Sequence, residues 1–74
     1  MQQPLKLIYY RAKYNLKQED LAKILGISQP TYSKKEKGII AITYDEMLTI
    51  LVALNLLADK NEDKKLSLDD VFGA

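Results

Sequence analysis

Leu16-Lys-Gln-Glu-Asp-Leu21-Ala22-Lys-Ile-Leu-Gly26-Ile-Ser28-Gln29-Pro-Thr-Tyr-Ser-Lys-Lys-Glu36-Lys-Gly38 carries the strongest local signals of this 74-residue chain. Leu21, Ala22 and Leu25 recur at helical spacing, which predicts a helix from about Gln18 to Leu25. Glu19 and Asp20 fall in its first turn, where a helix dipole favours negative charge. Gly26 ends it, because the residue after a helix commonly needs a positive φ and glycine takes one without a Cβ clash. Ser28 is a good N-cap for the next helix. Pro30 fits in that helix's first turn and nowhere deeper. A helix is therefore expected from about Gln29 to Lys37, stopped by Gly38.

Two short helices joined by so tight a turn, here about residues 18–37, make a helix-turn-helix. Upstream, Pro4 suits a first helical position, and Leu5, Ile8, Tyr9 and Ala12 continue at helical spacing to about Lys13. Downstream, Ile39-Ile40-Ala41-Ile42 is an unusually apolar linker, and Thr43-Tyr-Asp-Glu46 is a capping box opening a fourth helix. That helix is apolar on nearly every face, which marks a core element or a partner contact. Asn55 offers a left-handed stop within it. Residues 58–65 read as a charged insertion, either a solvated loop or a frayed helix end. Ser67-Leu-Asp-Asp70 caps a last helix over 67–72, whose Leu68, Val71 and Phe72 are placed to close the core. The fold class expected is all-α, five short helices in one domain over residues 1–74.

The chain has 11 Lys+Arg, 10 Asp+Glu, no His and no Cys. No disulfide or thiolate-bound metal can staple it, and zinc fingers, Ser-His-Asp triads and papain-like sites are excluded. Asp69-Asp70 and Glu19-Asp20 are accounted for by helix N-termini, and no glycine-rich phosphate loop exists, so neither an enzyme nor a cofactor is expected. The apolar stretch Met47–Ala58 holds 12 residues, whereas crossing a bilayer takes about 20. Met1-Gln2-Gln3-Pro4 lacks the basic start of a secretory signal, and a cytoplasmic location is expected. Residues 1–43 carry eight cations against three anions, a net +5, while residues 44–74 carry three against seven, a net −4. Such asymmetry suits a chain that turns one basic face to a polyanion.

The quoted stretch resembles the Cro/cI-type (Xre family) helix-turn-helix domain, through Leu21-Ala22, Gly26-Ile27-Ser28 and Glu36-Lys37-Gly38 at the family's offsets. The likeness extends upstream to Arg11 and returns at Leu66-Ser-Leu-Asp-Asp-Val-Phe72. It implies a compact five-helix, lambda-repressor-like DNA-binding domain with the second helix of the motif in the major groove. By that resemblance Arg11 and Glu36 form a structural ion pair linking the first helix to the end of the third. Gln29 reads a base edge, a task glutamine performs on adenine with two hydrogen bonds. Thr31 reads a base or bonds locally within its own turn, and Lys34 reaches a base or a phosphate. Lys17, Gln18, Ser33 and Lys37 fall at phosphate-contacting positions, with Gln18 also placed to brace Gln29. Tyr32 falls at a core position.

The sequence also departs from the family pattern. Lys17 stands where an N-cap acceptor is usual, and Pro30 deletes a groove-facing polar side chain. Lys35 occupies a normally buried apolar position and is expected to snorkel past Tyr32 or to pack its stem alone. Ile39 and Ile40 replace polar or basic residues.

Two functions follow as expectations. The first is a sequence-specific repressor of transcription, dimeric because one small domain makes few contacts and two domains about 34 Å apart match a palindrome. Ile40, Ile42, Val52 and Leu56 are the candidate dimer surface. The second is the antitoxin of a toxin–antitoxin pair, binding operator DNA and a protein toxin. Double-stranded DNA is the expected partner in both.

Overall fold

A computed structural model describes residues 5–73. Among them five helices follow in order, α1 (Leu5–Lys13), α2 (Gln18–Leu25), α3 (Gln29–Glu36), α4 (Tyr44–Lys60) and α5 (Leu68–Phe72), with no strand. The expected start at Pro4 lies outside the described residues.

Three helices open on a hydroxyl. The side-chain oxygens of Ser28, Thr43 and Ser67 accept from the backbone N–H groups of Thr31, Glu46 and Asp70 at 3.3, 3.1 and 3.2 Å. Glu46 and Asp70 complete capping boxes by accepting from the N–H groups of Thr43 and Ser67. The Ser67 N–H holds the Asp70 carboxyl below its usual range. α2 has only the reciprocal half, since the Lys17 side chain has no acceptor while Asp20 Oδ2 accepts the Lys17 N–H at 2.8 Å.

The first four helices all close the same way. The N–H groups of Leu16, Ile27, Ile39 and Asp63 reach back five residues to the carbonyls of Arg11, Ala22, Lys34 and Ala58 at 2.9, 3.0, 2.9 and 2.8 Å. The residue before each donor is left-handed: Asn15 (φ 58°), Gly26 (71°), Gly38 (79°) and Glu62 (59°). This is the Schellman closure. At Gly26 an added Cβ would meet nothing within 4 Å, so backbone conformation and not space requires the glycine.

One hydrophobic cluster draws on every helix or its cap: Leu7, Leu21, Ala22, Tyr32, Ile50, Leu54, Leu66 and Val71. Tyr10, Tyr14, Leu16, Leu25, Ile27, Ile42, Leu51 and Phe72 pack around it. α4 buries Ile50, Leu54 and Ala58 on one side and leaves Tyr44, Leu48, Val52 and Leu56 exposed on the other.

Asn55 does not stop α4, which runs on to Lys60. Its side-chain amide is engaged elsewhere, donating to the Leu66 carbonyl at 3.0 Å and accepting the Leu66 N–H at 2.7 Å. That pair of bonds favours a helical Asn55 facing the returning chain. The charged segment is thus partly helix, and a loop begins at Asn61. Asp63 fastens the loop to α1, accepting from the Tyr14 hydroxyl at 2.9 Å and lying 3.7 Å from Lys13 Nζ. Partial burial and then the Asp63 carboxylate push the Tyr14 hydroxyl up to about 12.

Candidate nucleic-acid interface

α2 packs against α3, and Leu21 and the small Ala22 of α2 are buried. The Ser28 cap and Pro30 fix where α3 begins. One face of it then stands free of the core, with Gln29, Pro30 and Lys34 exposed and Thr31 and Ser33 half-buried. Thr31 bonds within its own turn, its Oγ1 accepting from the Ser28 hydroxyl at 2.8 Å. Its own hydroxyl hydrogen remains available to an outside acceptor. Lys17 and Lys37 are exposed at the two ends of the same motif.

The opposite face of α3 is anchored. Arg11 donates to Glu36 twice, Nε to Oε2 at 2.8 Å and Nη2 to Oε1 at 2.9 Å, and its Nη1 donates to the Leu16 carbonyl at 2.9 Å. The Tyr32 hydroxyl adds a 2.8 Å bond to Glu36 Oε2, and Gln18 Nε2 adds one of 3.1 Å to Oε1. Burial, and then the Glu36 charge, push the Tyr32 hydroxyl upward, so it stays protonated and donates. An ionised carboxylate only accepts, which forces Gln18 to turn its amide NH₂ toward Glu36 and its Oε1 away. That oxygen accepts from Gln29 Nε2 at 3.2 Å. A continuous chain of bonds therefore runs from Arg11 through Glu36 and Gln18 to the exposed Gln29. Gln29 keeps its Oε1 and one amide hydrogen for a further partner.

The three ion pairs among the described residues leave Lys17, Lys34 and Lys37 out. Arg11 pairs with the buried Glu36, and Lys34 and Lys37 remain exposed on α3 and its cap. A surface of polar side chains rimmed by cations suits an acidic backbone with readable edges.

A family model described as helix-turn-helix matches residues 7–60. The chain belongs to the Cro/cI-type helix-turn-helix family. This helix-turn-helix family is one of DNA-binding transcriptional regulators. A relative from Methanocaldococcus jannaschii, described as an uncharacterized HTH-type transcriptional regulator, is 64% identical over 33 residues. The match takes in 45% of this chain and 50% of that protein, so the chain aligns with half the length of this curated relative. No solved structure gives a significant match. Among the described residues, no helix of this helix-turn-helix protein is long and apolar enough to cross a membrane.

The helix-turn-helix departs from expectation at Lys35. It neither snorkels nor packs its stem alone; the side chain is 8% exposed, and its ammonium donates to Glu46 Oε1 at 2.9 Å and to the Ala41 carbonyl at 3.0 Å. The two acceptors replace water at the joint between α3 and α4. Glu46, read from sequence as a capping residue, does both tasks with one oxygen. A cation at a buried motif position three residues before the glycine stop, with an acid opening the next helix, was the signal available for this pair. Of the residues named as dimer surface, Ile40, Val52 and Leu56 are exposed, whereas Ile42 packs against the core.

Proposed function

We propose that this chain binds double-stranded DNA sequence-specifically, with α3 in the major groove, as a small cytoplasmic repressor of transcription that works as a homodimer on a palindromic operator. The observation that carries the reading is Gln29, exposed at the start of α3 and held from behind by Gln18, Glu36 and Arg11. A side chain fixed in this way loses little rotamer freedom on binding, which favours discrimination between bases. Gln29, Thr31 and Lys34 contact bases. Lys17, Ser33 and Lys37 contact phosphates, as does the second amide hydrogen of Gln18. Pro30 offers apolar contact only. The longest dimension of one chain is 33 Å, comparable with the 34 Å between major-groove half-sites one turn apart.

Selection of bound sequences from a random DNA pool, at several salt concentrations, tests the proposal. A palindrome with steep salt dependence supports it, and failure to enrich any sequence at low salt overturns it. Gln29→Ala is expected to relax preference at one base position at a cost of about 1–3 kcal/mol, whereas Lys37→Ala weakens all sequences alike. Equal losses on specific and random DNA for both variants would reverse the assignment of roles.

A further inference from the structure

Residues 44–74 carry a net −4 that DNA recognition leaves unused. Part of it is matched inside the fold, since Glu46 pairs with Lys35 and Asp63 with Lys13. Asp45 and Asp59 are both exposed and enter none of the ion pairs among the described residues. Each lies seven residues from Val52, about two turns along α4, so all three side chains leave the helix on one strip. Leu48, Val52 and Leu56, which are 36, 61 and 69% exposed, form the middle of that strip. The Thr49 hydroxyl donates back to the Asp45 carbonyl at 3.0 Å, so its donor is satisfied within α4.

The face is thus an apolar centre with one carboxylate at each end, about 21 Å apart. The two acids differ in what the helix does for them. Asp45 sits in the first turn, where the helix dipole stabilises a negative charge, but Asp59 sits in the last, where the dipole opposes one. Lys60 is the next residue and projects to one side of the strip, so it does not face Asp59. Helix stability does not account for Asp59, whereas a cation brought by another molecule does.

We propose that this face docks a cationic amphipathic helix of another protein, its apolar stripe on Leu48, Val52 and Leu56 and a Lys or Arg near each end on Asp45 and Asp59. A ridge of residues four apart seats between the ridges of a second helix. The charges select the occupant. A second copy of this chain laid along the strip, parallel or antiparallel, sets carboxylate against carboxylate at both ends, and like charges opposed across an interface are unfavourable. Nucleic acid and anionic lipid both repel the two acids. Docking here does not depend on DNA binding by α3, and a dimer on a palindrome then forms through other residues than Val52 and Leu56.

Two capped peptides of about 18 residues, built of alanine and glutamine with leucines at helical spacing along one face, serve as probes. One carries a lysine at each end of that face, roughly fourteen residues apart, and its twin carries glutamates there. Fluorescence anisotropy at about 50 mM salt is expected to show the lysine peptide binding at least tenfold more tightly, a preference that fades at about 1 M. Asp45→Asn with Asp59→Asn removes the preference, and Asp45→Lys with Asp59→Lys reverses it. Asp69→Lys, at an exposed acid of α5, leaves it in place. Leu48→Ala with Leu56→Ala weakens the lysine peptide at least tenfold, circular dichroism confirming that each variant is folded. Equal affinity for the two peptides, no binding of the lysine peptide at about 100 μM, or a preference that survives the Asn double variant overturns the proposal. Sedimentation tests the second copy. A wild-type dimer that Val52→Asp splits puts this chain's own copy on the strip and overturns the proposal, whereas a monomer, or a dimer indifferent to Val52→Asp, is the expected result.

Discussion

Glu36 and Glu46 anchor the same end of α3 to different helices, α1 and α4, with unequal investment. Glu36 is 5% exposed and accepts four hydrogen bonds, two from Arg11 and one each from Tyr32 and Gln18. Glu46 is 18% exposed and accepts from Lys35 and from the Thr43 N–H through a single oxygen. The planar guanidinium matches both carboxylate oxygens at once, whereas the lysine ammonium is a point charge on a flexible stem. The first site therefore fixes direction as well as distance and can pass orientation on to Gln18 and Gln29. The second fixes only that α3 and α4 stay together.

Three measurements would break or sharpen this contrast. The largest effect is expected for Glu36→Ala, which strands a partly buried guanidinium and a buried hydroxyl at a cost of about 3–5 kcal/mol. That is much of the stability a domain this small commonly has, so the urea midpoint should collapse. A loss below about 1 kcal/mol would mean that the network is no stronger than a surface pair.

Next comes the second pair, taken from each side. Glu46→Ala removes a capping bond and leaves the Lys35 ammonium with the Ala41 carbonyl alone, for an expected loss of about 2 kcal/mol. Lys35→Met keeps an apolar stem of similar length and leaves Glu46 its Thr43 bond, so it is expected to stay within about 1 kcal/mol of wild type. Thermal melts of both variants would show whether the lysine charge is dispensable; equal losses would show that it is not.

The smallest effect is in the acid limb. Burial opposes ionisation of Glu46, but the Thr43 N–H and the Lys35 ammonium outweigh it and hold its pKa below 4.5 in the fold. A carboxyl with a lowered folded pKa contributes stability that is present above its unfolded value and is lost as pH falls through the folded one. Wild type should therefore lose stability more steeply than Glu46→Gln as pH drops below 4.5. Parallel curves for the two proteins would remove Glu46 from the acid transition.

The contrast also marks what the sequence made legible. Ser28, Thr43 and Ser67 announce helix starts, and Gly26 and Gly38 announce stops, because each acts on backbone within three or four residues of itself. The α3 surface and the Arg11–Glu36 pair follow from a motif whose offsets hold across the stretch. Lys35 was misread because its partner lies 11 residues away, in the cap of another helix. Asn55 was misread for the same reason, its partner Leu66 being 11 residues on. Asn15 and Glu62 close α1 and α4 in a left-handed conformation that asparagine signals faintly and glutamate not at all. Local chemistry and the polar pairs built into the motif were readable, and polar partners outside the motif were not.

The clasp between Asn55 and Leu66 has a practical corollary. The segment 63–66 is tied down at both ends, at Leu66 by that side-chain amide and at Asp63 by Tyr14. Lys64 and Lys65 lie between these fixed points and are exposed. Doubling the length of a flexible loop costs only about 0.6 kcal/mol in closure entropy. The Lys64–Lys65 peptide is thus a splice point, where an epitope or a fluorescent reporter can be inserted without disturbing either α3 or the outer face of α4.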